Sequence, residues 1–207
     1  MNAVRRAARS SNRRRGFTLI DLLVIITLTG TLAGTLTVVF SRLAAQSAEA
    51  LRSREAQSFV HSLLAEVRSM PFTYCDAQDA RVAVATAAVL GGSGCASQID
   101  ALGPETGESR YNPANRFDGV SDYQGFTMPG PGCATLCDRN GTPLAVTGLL
   151  PGCTLSVTMA AQALPGIAAL DVNGQAQALR ILVRLRCPGL ADTVAEGLRV
   201  RHAPNAI

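Results

Sequence analysis

Three residues near the amino terminus have types and a spacing that could do chemistry: Gly16, Phe17 and Asp21. A small residue and a cleavable peptide bond lie between a basic segment and an apolar run that ends at Phe40. Cleavage of the Gly16–Phe17 bond would leave the apolar run on the mature chain. Asp21 would then be a carboxylate at the start of an apolar helix, where it is costly unless it is paired or solvated.

The order of the segments predicts the topology. In an ordinary secretory signal the cleavage site follows the apolar region, whereas here it precedes that region. Residues 1–16 are predicted to be a basic leader, because they hold six of the 19 basic residues, all arginine, and no acid. Positive charge stays on the cytoplasmic side, so the chain beyond the apolar run is predicted to face outward. Without the leader, 13 arginines remain against 15 acids, which gives no support to nucleic-acid binding.

The stretch from Gly16 to Asp21 reads Gly-Phe-Thr-Leu-Ile-Asp and resembles the signature of the type IV prepilin family, Gly-Phe-Thr-Leu-Ile-Glu after a basic leader. The resemblance implies cleavage between Gly16 and Phe17 by a prepilin peptidase and N-methylation of Phe17. It also implies that the carboxylate of Asp21 pairs with the amine of a neighbouring subunit in a filament. Most members have Glu at this position, so Asp21 is one methylene shorter than the family residue. The rival interpretation is a chance acid in an ordinary signal anchor.

Residues 17–40 are predicted to form a membrane-spanning stem. The 19 residues from Leu22 to Phe40 carry no charge, and a helix needs ~20 apolar residues to span a bilayer core. Gly30 and Gly34 are spaced for close helix approach, and bundling in a filament core is the functional interpretation. The alternative is that small residues are common in any membrane helix.

Residues 41–70 are predicted to be an amphipathic continuation of the same helix. Apolar residues recur at the spacing of one helical face, and Pro71 should end the helix. That face comprises Ala56, Phe59, Val60, Leu63, Leu64 and Val67.

Residues 72–207 are predicted to form one exported head with an antiparallel sheet packed on the amphipathic half-helix, an α+β fold. Alternation predicts strands at 153–159, 179–187 and 193–201, the last with Val194, Leu198 and Val200 inward. Residues 81–90 alternate weakly and are consistent with a strand or a short helix.

Six cysteines lie in the exported part, which predicts disulfides, although six cysteines allow 15 pairings. Cys153 opens one predicted strand and Cys187 closes another, and both point to the apolar face. Antiparallel pairing of those strands favours a Cys153–Cys187 bond. Cys75 with Cys95 and Cys133 with Cys137 would then close loops. A zinc site at the last pair would need a second pair or histidines, and His61 and His202 are not placed for it.

A second resemblance concerns the stretch from Asn115 to Phe126, which contains Arg-Phe-Asp-Gly-Val-Ser-Asp-Tyr-Gln-Gly-Phe. It resembles a stretch of the D-type minor prepilins of mannose-sensitive haemagglutinin (MSHA) pili. We expect a structured loop that packs aromatic side chains and forms Asp-based turns. The alternative is a surface that binds a partner.

Other chemistry is weak in this sequence. The segments beginning at Asp138 and Asp171 resemble the start of a calcium loop but lack the downstream bidentate Glu, so Asx-Gly turns are expected. No grouping of residues indicates an enzyme, and no cofactor or metal is expected.

The sequence therefore predicts a minor type IV pilin, held in the inner membrane and later in a pilus outside the cell. Its expected partners are other pilin subunits through the amino-terminal helix, the prepilin peptidase and methylase, and the membrane. Three rivals remain open: a minor pseudopilin of a type II secretion system, a DNA-binding minor pilin, and a plain signal-anchored periplasmic domain.

Overall fold

A computed structural model describes Gly16, Gly148 and residues 18–144 and 150–201 of the chain. Its regular elements are a helix α1 and four strands, with bounds α1 Leu19–Ser69, β1 Thr127–Met128, β2 Thr154–Ala161, β3 Ala178–Arg186 and β4 Thr193–Val200. A 3-10 turn covers Ser121–Tyr123. The chain divides into two compact units, Met1–Ala48 and Glu49–Ile207.

The first unit contains the first part of α1. The helix begins two residues later than predicted, at Leu19, and it ends at Ser69 instead of Met70. The end is set by Pro71, since a proline disfavours helical geometry in the residue before it. Threonine hydroxyls in the apolar part donate to carbonyls three or four residues back, as between Thr29 Oγ1 and the oxygen of Ile25 at 2.7 Å. This return bonding makes their polarity tolerable in an apolar helix.

The second unit is built on a four-stranded antiparallel sheet in the order β1-β2-β3-β4. Residues from one face of the sheet join residues of α1 in a single core. The predicted helical face is confirmed, because Ala56, Val60, Leu63, Leu64 and Val67 are buried, with Phe59 partly buried against them. The α+β class, the long apolar helix and the antiparallel sheet are therefore confirmed.

The prediction of which side of the last strand faces the core was wrong. Val194, Leu198 and Val200 are exposed, while Ala195 and Gly197 point to the core. The register explains the reversal, since Ala195 lies opposite Val183, which is fully buried in β3.

Close approach of the helix explains why the inward residues of β4 are small. A Cβ atom added at Gly197 would lie 2.9 Å from Arg68 Cδ and 3.0 Å from Leu64 Cδ1. There is room for glycine but not for a larger residue where Gly197 faces α1, so the larger apolar residues of β4 lie on the opposite face.

Residues 81–90 form neither of the two elements considered for them, since residues 81–84 are a turn and the rest is irregular up to an isolated bridge between Leu90 and Cys95. The carboxylate of Asp79 organises this segment, because it accepts backbone N–H groups of Arg81, Ala96, Ser97 and Gln98 at 2.7–3.0 Å. Burial opposes ionisation of Asp79, but these donors outweigh it and hold the pKa of that carboxyl well below its usual range. A side chain with this many backbone donors competes with regular structure for the chain around it.

Candidate functional site

The start of α1 brings together two of the residues singled out by the sequence. The N–H of Thr18 donates to Asp21 Oδ2 at 3.0 Å, and the N–H of Asp21 donates to Thr18 Oγ1 at 3.2 Å. This reciprocal arrangement is a capping box, with an acid in the favourable first turn of the helix. Gly16 is exposed, and Phe17 lies outside the described residues. Asp21 therefore has an intramolecular partner, which the sequence analysis did not consider.

The stem presents an uncovered apolar surface. Every residue from Leu19 to Leu51 is exposed, including the whole apolar run. A Cβ atom built on Gly30 or Gly34 would meet nothing within 4 Å, so the strip between these glycines is open. Within the described part of the chain, α1 is the one helix long and apolar enough to cross a membrane.

Three disulfides close the head, and they are the pairs that the sequence analysis favours: Cys75–Cys95, Cys133–Cys137 and Cys153–Cys187. The third follows from the register of the sheet. Thr154 lies opposite Arg186 at one end of the β2–β3 ladder, so the next residue outward on each strand is a cysteine.

An ion pair attaches the loops of the head to the second part of α1. Arg110 donates from Nε and Nη2 to the two oxygens of Glu66, at 2.9 and 2.7 Å, and the hydroxyl of Tyr123 donates to Glu66 Oε1 at 2.7 Å. Burial opposes ionisation of Glu66, but the bonds from Arg110 and Tyr123 outweigh it and lower its pKa. Arg110 Nη1 also donates to the carbonyl of Asp138, at 2.9 Å. No sequence signal pairs residues 44 positions apart, so this network was missed.

The stretch from Asn115 to Phe126 forms the predicted loop. The ring of Phe117 lies edge-on to those of Tyr123 and Phe126, with centroids 5.0 and 6.0 Å apart. Asp122 accepts the N–H groups of Asp118 and Gly119 in an Asp-based turn. The expected packing of aromatic side chains and the expected turn are both confirmed.

The two segments that begin like calcium loops form the expected aspartate turns. Asp138 Oδ1 accepts N–H groups from Asn140 and Thr142, and Asp171 does the same further along the chain. His61 is exposed on the helix, and His202 lies outside the described residues.

Acidic side chains converge at a cavity that the sequence analysis missed. Asp76, Glu105 and Glu108 each place a carboxylate oxygen within 4.8 Å of the others, at the wall of a cavity of about 580 Å³. Glu105 Oε2 and Glu108 Oε1 are both enclosed, and burial together with a hydrogen bond between the two carboxyl groups raises the pKa of Glu108 to about 8. Spacing in the sequence gives no signal for this convergence, because a disulfide loop and irregular segments bring the three together.

The described parts of the chain thus define an α+β protein with an exposed apolar amino-terminal helix and a disulfide-bonded antiparallel head. No protein-family model, curated protein or solved structure matches the chain.

Proposed function

We propose that this chain is a minor subunit of a type IV pilus, of the kind found in MSHA-type pili. The precursor is cleaved between Gly16 and Phe17, Phe17 is N-methylated, and the stem then leaves the membrane to pack among the stems of other subunits. The observation that carries the proposal is the division within α1. Its apolar part is exposed along its whole length, whereas the part beyond Leu51 is buried on one face in the head.

Burial energetics support an assembly role for the stem. Hydrophobic burial is worth roughly 25 cal/mol per Å² of apolar surface removed from water, so a long uncovered apolar helix must lie in lipid or among other helices. The open glycine strip at Gly30 and Gly34 permits close helix contact, since small residues allow two backbones to approach. A stem that first spans the membrane and later packs with other stems satisfies both requirements.

Asp21 carries the electrostatic part of the proposal. Its capping box with Thr18 gives the carboxylate a donor within its own chain. A carboxylate in an apolar environment is tolerated when it is paired. On assembly, the free amine of a neighbouring subunit would provide the ionic partner that the capping box lacks.

Substitution of Asp21 tests this role. We expect Asp21→Ala to lower incorporation into pili strongly, because both the helix cap and the anionic partner are lost, whereas Asp21→Glu should keep incorporation near wild type. The readout is the amount of subunit in sheared pili relative to the amount in membranes, measured by immunoblot. Normal incorporation of Asp21→Ala would contradict the proposed pairing.

The rival within the same class is a minor pseudopilin of a type II secretion system, and the Asp at position 21 favours it because several pseudopilins depart from Glu there. Deletion of the gene separates the two proposals. Loss of surface pili with secretion intact supports the pilus subunit, and loss of secretion with pili intact supports the pseudopilin.

A further inference from the structure

One edge of the sheet is long and unpaired. The sheet ends on one side at β1, which has two residues, and on the other side at β4, which pairs with β3 over all eight of its residues. Proteins commonly shorten, cover or charge a sheet edge, because its free N–H and C=O groups can pair with another chain. Among the described residues, no further strand lies beyond β4.

The backbone groups that point to the free edge follow from the register of the ladder. The N–H of Arg201 donates to the carbonyl of Gln177 at 2.8 Å, so these two residues continue the β3–β4 ladder as a hydrogen-bonded pair. Hydrogen-bonded and non-hydrogen-bonded pairs alternate along an antiparallel ladder. The N–H and C=O groups that point away from β3 therefore belong to every second residue before Arg201. These residues, which we call the edge residues, are Val194, Glu196, Leu198 and Val200.

The side chains of the edge residues form an exposed and mainly apolar surface. Val194, Leu198 and Val200 are 44%, 43% and 37% exposed. Glu196 lies among them, and its carboxylate already pairs with Arg180 of β3 at 2.7 Å. A strand added at this edge would cover apolar side chains and bond to the free backbone groups at once. Recognition by strand addition combines these two contributions.

The opposite face of the same edge carries positive charge. The stem of Arg68 lies over Gly197, since a Cβ atom built on that glycine would be 2.9 Å from Arg68 Cδ. Arg199 lies on the same face of β4 and donates to the carbonyl of Met70 at 3.1 Å. In the part of the chain that the structure describes, neither arginine forms an ion pair. An added strand would place alternate side chains beside these cations, so carboxylates suit those positions.

We propose that the free edge of β4 binds an acidic, extended segment of another protein as a fifth, antiparallel strand. The segment alternates apolar residues on the outer face with Asp or Glu on the inner face. The antiparallel orientation continues the pattern of the sheet, in which all neighbouring strands are antiparallel. The binding is independent of the function proposed above, because it rests on the head alone.

A second copy of β4 fits this edge less well than an acidic segment does. The inward side of β4 carries Ala195, Gly197 and Arg199, and none of these residues is acidic. Pairing of two β4 strands would therefore add arginines to a face that already has Arg68 and Arg199. Like charges placed opposite each other on paired strands are destabilising.

A synthetic peptide with the sequence Val-Glu-Val-Glu-Thr-Glu-Val, blocked at both ends and labelled with a fluorophore, tests the proposal. When it is bound antiparallel, its glutamates lie opposite Arg199, Gly197 and Ala195. We expect saturable binding to the full-length protein in detergent micelles, measured by fluorescence anisotropy. The same peptide with Lys in place of every Glu should bind at least about fivefold more weakly, because it brings like charges together. Equal affinities for the two peptides would overturn the acidic character of the partner.

A charge reversal on α1 tests the contribution of Arg68. Arg68→Glu should weaken binding of the acidic peptide by about fivefold or more and strengthen binding of the lysine peptide. Arg54→Glu is the matched control, because it makes the same change at an exposed position about 21 Å away along the helix. The control should keep both wild-type affinities. Equal effects of the two variants would contradict a local contact with Arg68.

N-methylation of the peptide tests the backbone hydrogen bonds and needs no variant of the protein. Methyl groups on the nitrogens of the second Val and of the Thr replace N–H groups that face β4, so binding should fall by about tenfold or more. Methyl groups on the last two Glu point away from β4 and should leave the affinity nearly unchanged. Equal binding by the two methylated peptides would overturn strand addition.

Hydrogen exchange measured by NMR distinguishes a partner from a second copy. Without peptide, the amides of the edge residues should exchange rapidly, while the amide of Val183 in the centre of the sheet is protected. Saturating acidic peptide should slow exchange of the edge residues by about tenfold or more. Protection of these amides before peptide is added would mean that a second copy already pairs with the edge, and it would overturn the choice of an acidic partner.

Discussion

The two parts of α1 differ in what covers them. From Leu19 to Ala48 the helix is exposed on all sides, and it carries no charge from Leu22 to Phe40. From Glu49 to Ser69 it alternates between a polar face and a face buried in the head. Fifty-one continuous helical residues thus combine a segment that needs a partner outside the chain with a segment that has its partner within it. Substitutions in the second part should affect folding of the head, and substitutions in the first part should affect assembly alone.

The largest effect is expected at the ion pair between α1 and the head loops. Glu66→Ala leaves Arg110 buried without its carboxylate partner, and breaking a buried pair in this way costs about 3–5 kcal/mol. We expect the free energy of unfolding of the head to fall by that amount in urea titrations followed by near-UV circular dichroism. Glu196→Ala is the control, because Glu196 pairs with Arg180 on the surface, so its loss should lower the free energy of unfolding far less. Equal costs for the two variants would contradict the structural role of Glu66.

The next effect concerns the disulfides of the head. Cys153→Ala/Cys187→Ala opens a loop with a sequence separation of 34, and loop-closure entropy predicts a loss of roughly 3–4 kcal/mol. Cys133→Ala/Cys137→Ala opens one with a separation of 4 and should cost roughly 2 kcal/mol by the same relation. Urea midpoints of the two double variants check this order. A larger loss for the Cys133/Cys137 variant would contradict the loop-entropy explanation. It would mean that strand pairing already holds Cys153 and Cys187 together without the bond.

A smaller effect compares a covered glycine with an open one. Gly197→Ala forces a methyl group toward Leu64 and Arg68, so we expect a cost of about 1–3 kcal/mol in the free energy of unfolding of the head. Gly34→Ala meets nothing, and it should leave that free energy unchanged within about 0.5 kcal/mol.

Assembly should respond differently to the open glycine. A larger residue, as in Gly34→Leu, should leave the head folded and reduce the amount of subunit in sheared pili, because it separates the packed stems. A change in head stability in either Gly34 variant would contradict the division of α1.

The helix, its buried face and the strand positions could be predicted because each leaves a periodic pattern over many residues. Val60 and Leu64, for example, are placed by the helical period alone. The facing of β4 could not be predicted, because the close approach of α1 favours Gly197 over a larger residue at that inward position. The contacts of Glu66 and the convergence of Glu105 and Glu108 with Asp76 depend on irregular loops, whose path has no period. The capping box is different, because the three-residue spacing of Thr18 and Asp21 is visible in the sequence. The sequence therefore does contain the signal for an intramolecular partner of Asp21.

The central claim is that the apolar part of α1 remains on the mature chain as an assembly stem. Mass spectrometry of the amino-terminal peptide of the protein isolated from its native membranes tests this claim most directly. The account predicts a peptide that begins with N-methylated Phe17. A peptide that begins at Met1, or one produced by a cut after Ala33 within the stem, would contradict it.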